Sequence, residues 1–220
     1  MSQGKLTIGN RRYSSWSLRG WLAVKIADLD VEENLIPLEG GATSSIAGKT
    51  PSGLVPYLEH KGARIWETLA ICEYCAEFEP RLWPEDRVAR AHARSIASEM
   101  HAGFSRLRSA MPMNLGRDFS GLGRTEGALA DIARIEAVWA EARSLFGAGG
   151  PYLYGAHFNA ADVMFAPVVT RFLTWQPELS QQTRDYCAAV REYPLVAEWY
   201  AAAAREPEEW QLAKYETLTV

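Results

Sequence analysis

The period of the apolar residues changes once along this chain, near residue 84, and the change implies two folding units of different kind. Before it, short strand-like runs interleave with helical spacing. Lys5–Asn10 reads as a first strand, and a helix over about Trp16–Ile26 carries Leu18, Trp21, Leu22 and Lys25 at helical intervals. Val31–Pro37 reads as a second strand, closed by a proline that cannot donate to a ladder. Gly40 to Gly53 is rich in Gly, Ser and Thr and is expected to be a loop with a short helical piece. Val55–His60 and Ala63–Trp66 flank Lys61-Gly62, a tight hairpin turn, and Thr68–Glu79 follows as a helix. The order is β-α-β, a connection, then β-β-α, which gives one parallel crossover pair and one antiparallel hairpin.

Glu79-Pro80 to Pro84-Glu85 reads as a linker, dividing the chain into units over 1–83 and 84–220, with Leu82 and Trp83 as plugs between them. Beyond it only helical spacing remains. Ile96, Met100, Phe104 and Leu107 form one series, and Leu129, Ile132, Ile135, Trp139, Ala142 and Phe146 another. Three more helices follow at about Ala160–Trp175, Gln181–Arg191 and Pro194–Arg205. The expected fold class is an α/β unit followed by an all-α unit.

With 48% hydrophobic and 23% charged residues, the chain has enough apolar surface for a core. A net charge of −4 argues against nucleic acid as the main partner, and no Lys/Arg stripe interleaves the eight tryptophans and nine tyrosines. No apolar run approaches the roughly 20 residues that span a bilayer. The start, Met-Ser-Gln-Gly-Lys, lacks the apolar stretch of a secretory signal, so a cytoplasmic protein without membrane partners is expected. The four histidines are scattered and the three cysteines uneven, which predicts neither a metal site nor a disulfide framework. Cys72-Glu73-Tyr74-Cys75 is a C-x-x-C motif. It lies a turn into the later helix, not at the N-terminus of the first, where a redox dithiol would gain from the dipole; core packing is the favoured account.

Three segments bear on chemistry. Tyr13-Ser14-Ser15-Trp16-Ser17 places hydroxyls and unpaired backbone N–H groups at a helix start, where an anion is stabilised. A serine there either caps the helix, the commoner role, or donates to a bound thiolate and lowers its pKa from about 8.5. Val55-Pro56 opens a strand; a cis bond would free the Val55 backbone to pair with a peptide-like ligand, although local sequence alone favours an ordinary trans proline. Thr68 is expected to cap its helix, with donors for a carboxylate, while Glu67 is placed to accept from an ammonium; a routine cap beside a surface acid is the competing account.

A strand, a Ser-rich helix start, X-Val-Pro before a hairpin, acid-Thr at the next helix and then a helical unit together resemble the cytosolic glutathione transferases over essentially the whole chain. Arg12-Tyr13-Ser14-Ser15-Trp16-Ser17-Leu18-Arg19 is similar to their serine-type and zeta-like members. The resemblance implies a thioredoxin-like first domain and glutathione as co-substrate, with Ser14 activating the sulfur and Ser15 close behind. It implies that Val55, beside Pro56, pairs with the cysteinyl backbone while Glu67 and Thr68 hold the γ-glutamyl end. It also implies a homodimer. Trp16, Met100, His101, Phe104 and Arg108 would line the pocket of a small electrophile, with Arg108 steering a negative group. His157-Phe158-Asn159-Ala160-Ala161-Asp162 resembles the family's capping box and staple, a stabilising rather than catalytic feature. Zeta-like maleylacetoacetate isomerases carry cysteine where this chain has Trp16, which sets glutathione transfer ahead of that isomerisation. A glutathione-binding or ligand-carrying protein with little turnover is the alternative from a different class.

Overall fold

The computed structural model describes residues 2–40 and 43–217. Strand β1 (Gly4–Gly9) is central because both its faces are covered: Leu6 and Ile8 are fully buried and Thr7 nearly so. It pairs in parallel with β2 (Glu32–Ile36), Ile8 opposite Leu35, and antiparallel with β3 (Tyr57–His60), Leu6 opposite Leu58. Strand β4 (Ala63–Trp66) completes the order β2-β1-β3-β4 through the hairpin at Lys61-Gly62. Both turn residues have positive φ, +49° and +85°, the combination whose twist suits a two-residue hairpin. Between β2 and β3 the described residues form only turns, so the short helical piece expected there is not present.

Helix α1 (Ser15–Ile26) links β1 to β2 and packs against helix α2 (Thr68–Ala76), which follows β4. Gly20 makes a further approach possible: a Cβ there would stand 2.7 Å from the ring of Pro56. Cys72 and Cys75 are fully buried on α2, and burial pushes the Cys72 thiol up to about 12 and Cys75 higher still. These are packing residues, inert as thiolates at neutral pH.

The helical part comprises α3 (Arg87–Ala102), α4 (Ser105–Ala110), α5 (Glu126–Phe146), α6 (Ala160–Trp175), α7 (Gln181–Glu192), α8 (Pro194–Ala204) and a last turn, α9 (Ala213–Glu216). The series from Ile96 to Leu107 is not one continuous helix. Gly103 is extended and Phe104 takes the left-handed conformation at φ +55°, so the chain turns between α3 and α4 while the apolar spacing continues. This thioredoxin-like mixed sheet with its helices, followed by a helical domain, is the architecture expected.

Helix α6 is apolar nearly all round, and of its residues only Leu173 is not buried, which makes it the axis of the helical domain. Its N-terminus is closed by the expected capping box. Asn159 accepts from Ala161 N at 2.9 Å, and Asp162 Oδ2 accepts from Asn159 N at 3.0 Å. Asp162 Oδ1 also accepts from Leu153 N at 3.1 Å and from the Tyr186 hydroxyl at 2.9 Å. Burial pushes the Asp162 carboxyl up to about 6 even against these donors. An acid held above its ordinary value binds its proton more tightly in the native state, so this group adds stability as pH falls through 6 toward 4 and loses it as pH rises.

Asp162→Ala leaves three donors unpaired and is expected to cost about 2–4 kcal/mol in urea unfolding. Asn159→Ala, which loses one cap bond, should cost about 1 kcal/mol. The gap between wild type and Asp162→Ala should widen from pH 7 to pH 5. Equal costs for the two variants, or a gap that narrows on acidification, would remove Asp162 from this role.

Candidate active site

Three backbone features bring the site together. First, the loop from Arg11 to Tyr13 is tied down by the C-terminal segment. Glu206 accepts from Arg11 N and Arg12 N, Trp199 Nε1 donates to Arg11 O at 3.1 Å, and the Tyr13 hydroxyl donates to Glu216. Burial and then the Glu216 carboxylate push the Tyr13 hydroxyl up to about 12, so it stays a neutral donor.

The tethered loop delivers Ser14 as the cap of α1. Ser14 Oγ accepts from Ser17 N at 3.3 Å, and its hydroxyl donates to Ser17 Oγ at 2.7 Å; Ser17 Oγ in turn accepts from Gly9 N at 2.9 Å. Hydroxyl hydrogens rotate, so Ser17 can equally donate to Ser14 and leave the Ser14 proton free for a ligand. Ser17, fully buried, is therefore a positioning residue to which the sequence reading gave no role of its own. Ser15 is the first residue of α1 and lines the same cleft.

Second, the Val55-Pro56 bond is cis, against the local expectation of a trans proline. No hydrogen bond among the described residues uses the backbone N–H or C=O of Val55, so both are available.

Third, Thr68 does not cap α2; it is the first helical residue. Glu67 stands at the cap with φ +69° and ψ 125° and no side-chain cap bond. A non-glycine residue in this region is strained, and such strain persists where surrounding structure enforces it. The Glu67 carboxylate lies 3.4 Å from His101 Nε2, and Thr68 Oγ1 lies 3.4 Å from His101 Nδ1. Burial, opposed by Glu67, lowers the pKa of His101, which also packs edge-on against Trp16 at 5.3 Å.

The first two features face one cleft of about 370 Å³. Ser14, Ser15, Trp16 and Val55 line one side, with Arg108, Met113, Arg171 and Tyr215 across from them. A 70 Å³ extension is lined by Trp16, Val55, Pro56, Glu67 and Thr68. A larger cavity of about 610 Å³ lies by Trp83, Arg90 and His157, but it contains none of these groups, so size alone does not identify the site. Of the expected pocket residues, Trp16 and Arg108 line the cleft. Met100, on α3, is fully buried and Phe104, at the start of α4, is 8% exposed, and both pack in the core. His101 meets the site through Glu67, Thr68 and Trp16.

Arg171 and Tyr215 escaped the sequence reading. A lone arginine in the otherwise uncharged stretch Val163–Trp175 was a legible signal for the first. Tyr215 had none, since its place depends on how the C-terminal segment returns. Among the described residues no cluster of three or more His, Cys, Asp or Glu could hold a metal, and no helix is long and apolar enough to cross a membrane.

Residues 13–77 match the model of the glutathione S-transferase N-terminal domain, and residues 90–202 match that of the glutathione S-transferase C-terminal domain. A probable maleylacetoacetate isomerase of Caenorhabditis elegans is 30% identical over 173 residues, 77% of this chain and 79% of that protein. Maleylacetoacetate isomerase of Rattus norvegicus is 28% identical over 175 residues, 77% of this chain and 78% of that protein. Among solved structures, a glutathione transferase homolog from Burkholderia with bound glutathione superposes with a TM-score of 0.70 at 21% identity, covering 92% of this chain and 99% of the other. The theta class enzyme of Xanthomonas axonopodis with glutathione bound gives 0.61 at 21% identity, covering 91% and 98%. Both halves of the sequence and the fold that unites them agree: the chain belongs to the glutathione S-transferase family.

Proposed function

We propose that this enzyme transfers reduced glutathione to a small electrophile, with Ser14 donating a hydrogen bond to the glutathione thiolate. The observation that carries this reading is the convergence of three features on the cleft and the space that adjoins it: the N-terminus of α1 with its serines, the unused backbone of Val55 beside the cis proline, and Glu67 at the start of α2. Each fits a different part of the tripeptide. The dipole and hydroxyl of α1 favour the charged sulfur, and the thiol proton leaves to solvent. The Val55 N–H and C=O pair with the cysteinyl backbone as an added strand. Backbone donors at the start of α2 meet the γ-glutamyl carboxylate, and Glu67 accepts from its ammonium. The ionised sulfur then attacks the electrophilic carbon beside Trp16 and Arg108; as the C–S bond forms, either a leaving group departs with its electron pair or, in an addition, the π pair moves to the far atom, which takes a proton from solvent. We take the protein to work as a homodimer, as its family resemblance implies.

Glutathione-dependent isomerisation is a second reading, favoured by the names of the curated relatives. It needs the same thiolate and would be seen as loss of a cis-dienone absorbance. Binding of glutathione without turnover of aryl halides, epoxides, peroxides or enones would instead favour a carrier.

Ser14→Ala is expected to lower kcat/KM about 10²–10³-fold. It should also move the ionisation of bound glutathione, followed by thiolate absorbance, upward by about one to two pH units. Ser15→Ala should do neither to the same extent; if it alone shifts the titration, the thiolate role passes to Ser15. Glu67→Ala removes a charge-assisted contact and should raise KM for glutathione about 10–100-fold with kcat little changed. A fall in kcat at unchanged KM would contradict a purely binding role.

A further inference from the structure

Helix α3 brings one titratable side chain across the seam to the start of α2. His101 stands in the last turn of α3 and lines neither the 370 Å³ cleft nor its 70 Å³ extension; it faces Glu67 and Thr68 from behind. Glu67 Oε2 lies 3.4 Å from its Nε2, and Thr68 Oγ1 lies 3.4 Å from its Nδ1. A neutral ring serves both neighbours when Nε2 carries the proton. That nitrogen then points its N–H at the carboxylate, while Nδ1 accepts from the threonine hydroxyl. The edge contact with Trp16, at 5.3 Å between ring centres, holds the imidazole in this place.

The charged groups that face the ring are Glu67 from the start of α2, Arg19 from α1 and Arg108 from α4. The other charges brought against α3 have partners on it. Glu73 of α2 pairs with Arg94, Arg134 of α5 pairs with Glu99, and Glu141 of α5 lies 3.9 Å from His92. From α6, Arg171 acts on Arg19 and interacts with Arg108. Burial lowers the pKa of His101, Glu67 opposes the fall, and the two arginines add to it. The ring is therefore neutral near pH 7 and takes up its proton below the ordinary histidine value of about 6.5.

We propose that His101 is a positioning residue for glutathione, which when neutral orients the Glu67 carboxylate toward the ligand's ammonium and when protonated competes with that ammonium for it. The proposal rests on the reading that Glu67 receives the γ-glutamyl end. An imidazolium and an ammonium beside one carboxylate repel each other, so the proton and the ligand oppose one another. By linkage, binding expels the proton, and affinity rises as pH climbs through the pKa of the ring. The proton leaves Nδ1 for solvent, and the Thr68 hydroxyl turns to donate to the freed nitrogen.

Calorimetry with S-methylglutathione isolates the effect. That ligand has no thiol proton, and its carboxyl and amino groups titrate outside the window from about pH 5.5 to 6.5. In buffers of different ionisation enthalpy, the wild type is expected to release about half a proton on binding at about pH 5.5. Its affinity should rise about two- to threefold between about pH 5.5 and 6.5. His101→Gln keeps a donor for Glu67 but does not titrate, and it should lose both the release and the pH dependence. Glu67→Gln should lose the release from the other side of the pair while binding more weakly, so the outcome does not hang on one variant. Binding with no proton released by the wild type, or a release that persists in both variants, overturns the proposal and leaves the glutathione reading standing. Failure of S-methylglutathione to bind the wild type overturns both.

Discussion

Arg19 joins helix α1 to helix α6 across the seam between the sheet and the helical domain, its Nε donating to Met164 O at 2.8 Å and its Nη1 to Ser15 O at 3.3 Å. A fully buried guanidinium has only backbone carbonyls and the Trp16 ring as partners here, so its geometry is tightly set. That geometry fixes how α1 lies on α6 and where Trp16 stands. On its other side α1 rests on the Pro56 ring, a contact open only because residue 20 is glycine. The cleft is the space these two dockings leave between the start of α1, the cis proline and the wall formed by α4 and α6.

Much of this was legible in the chain. The strand-like run at Lys5–Asn10, the Lys61-Gly62 turn and the helical spacing in α5 through α8 are local signals, and each placed its element. The capping box at Asn159-Asp162 was equally local and correctly read. What escaped has a common physical origin in backbone choices that apolar spacing does not encode. Ile96, Met100, Phe104 and Leu107 keep helical intervals across a break that exists because Gly103 is extended and Phe104 left-handed. The cap of α2 shifted by one residue because Glu67, not Thr68, leaves the helical region. The ring of Pro56 lies against Gly20 of α1, a contact distant in sequence that the residues around the proline do not signal.

Net charge was equally uninformative about the cleft. The chain carries −4, yet the charged side chains that line the 370 Å³ cleft are two arginines, Arg108 and Arg171. The acids that matter locally hold backbone in place. Glu206 binds the amides of Arg11 and Arg12, and Glu216 ties Tyr13 to Asn114 and Arg117. The C-terminal segment thereby keeps the serine loop in register and brings Tyr215 to the cleft.

Ser14 shows how one hydroxyl can serve both structure and chemistry. Capping α1 uses a lone pair on Oγ, to which Ser17 N donates; stabilising a thiolate uses the hydroxyl proton. The two demands draw on different ends of the same group and do not compete. What they require is that the proton be released from Ser17 Oγ, and that oxygen is already satisfied by Gly9 N. With its own proton turned toward Ser14, Ser17 would supply a second hydrogen bond to Ser14 Oγ and restore the count in the thiolate complex proposed above. The helix start is thus as well satisfied loaded as empty, so binding the anion need not break the cap that positions it.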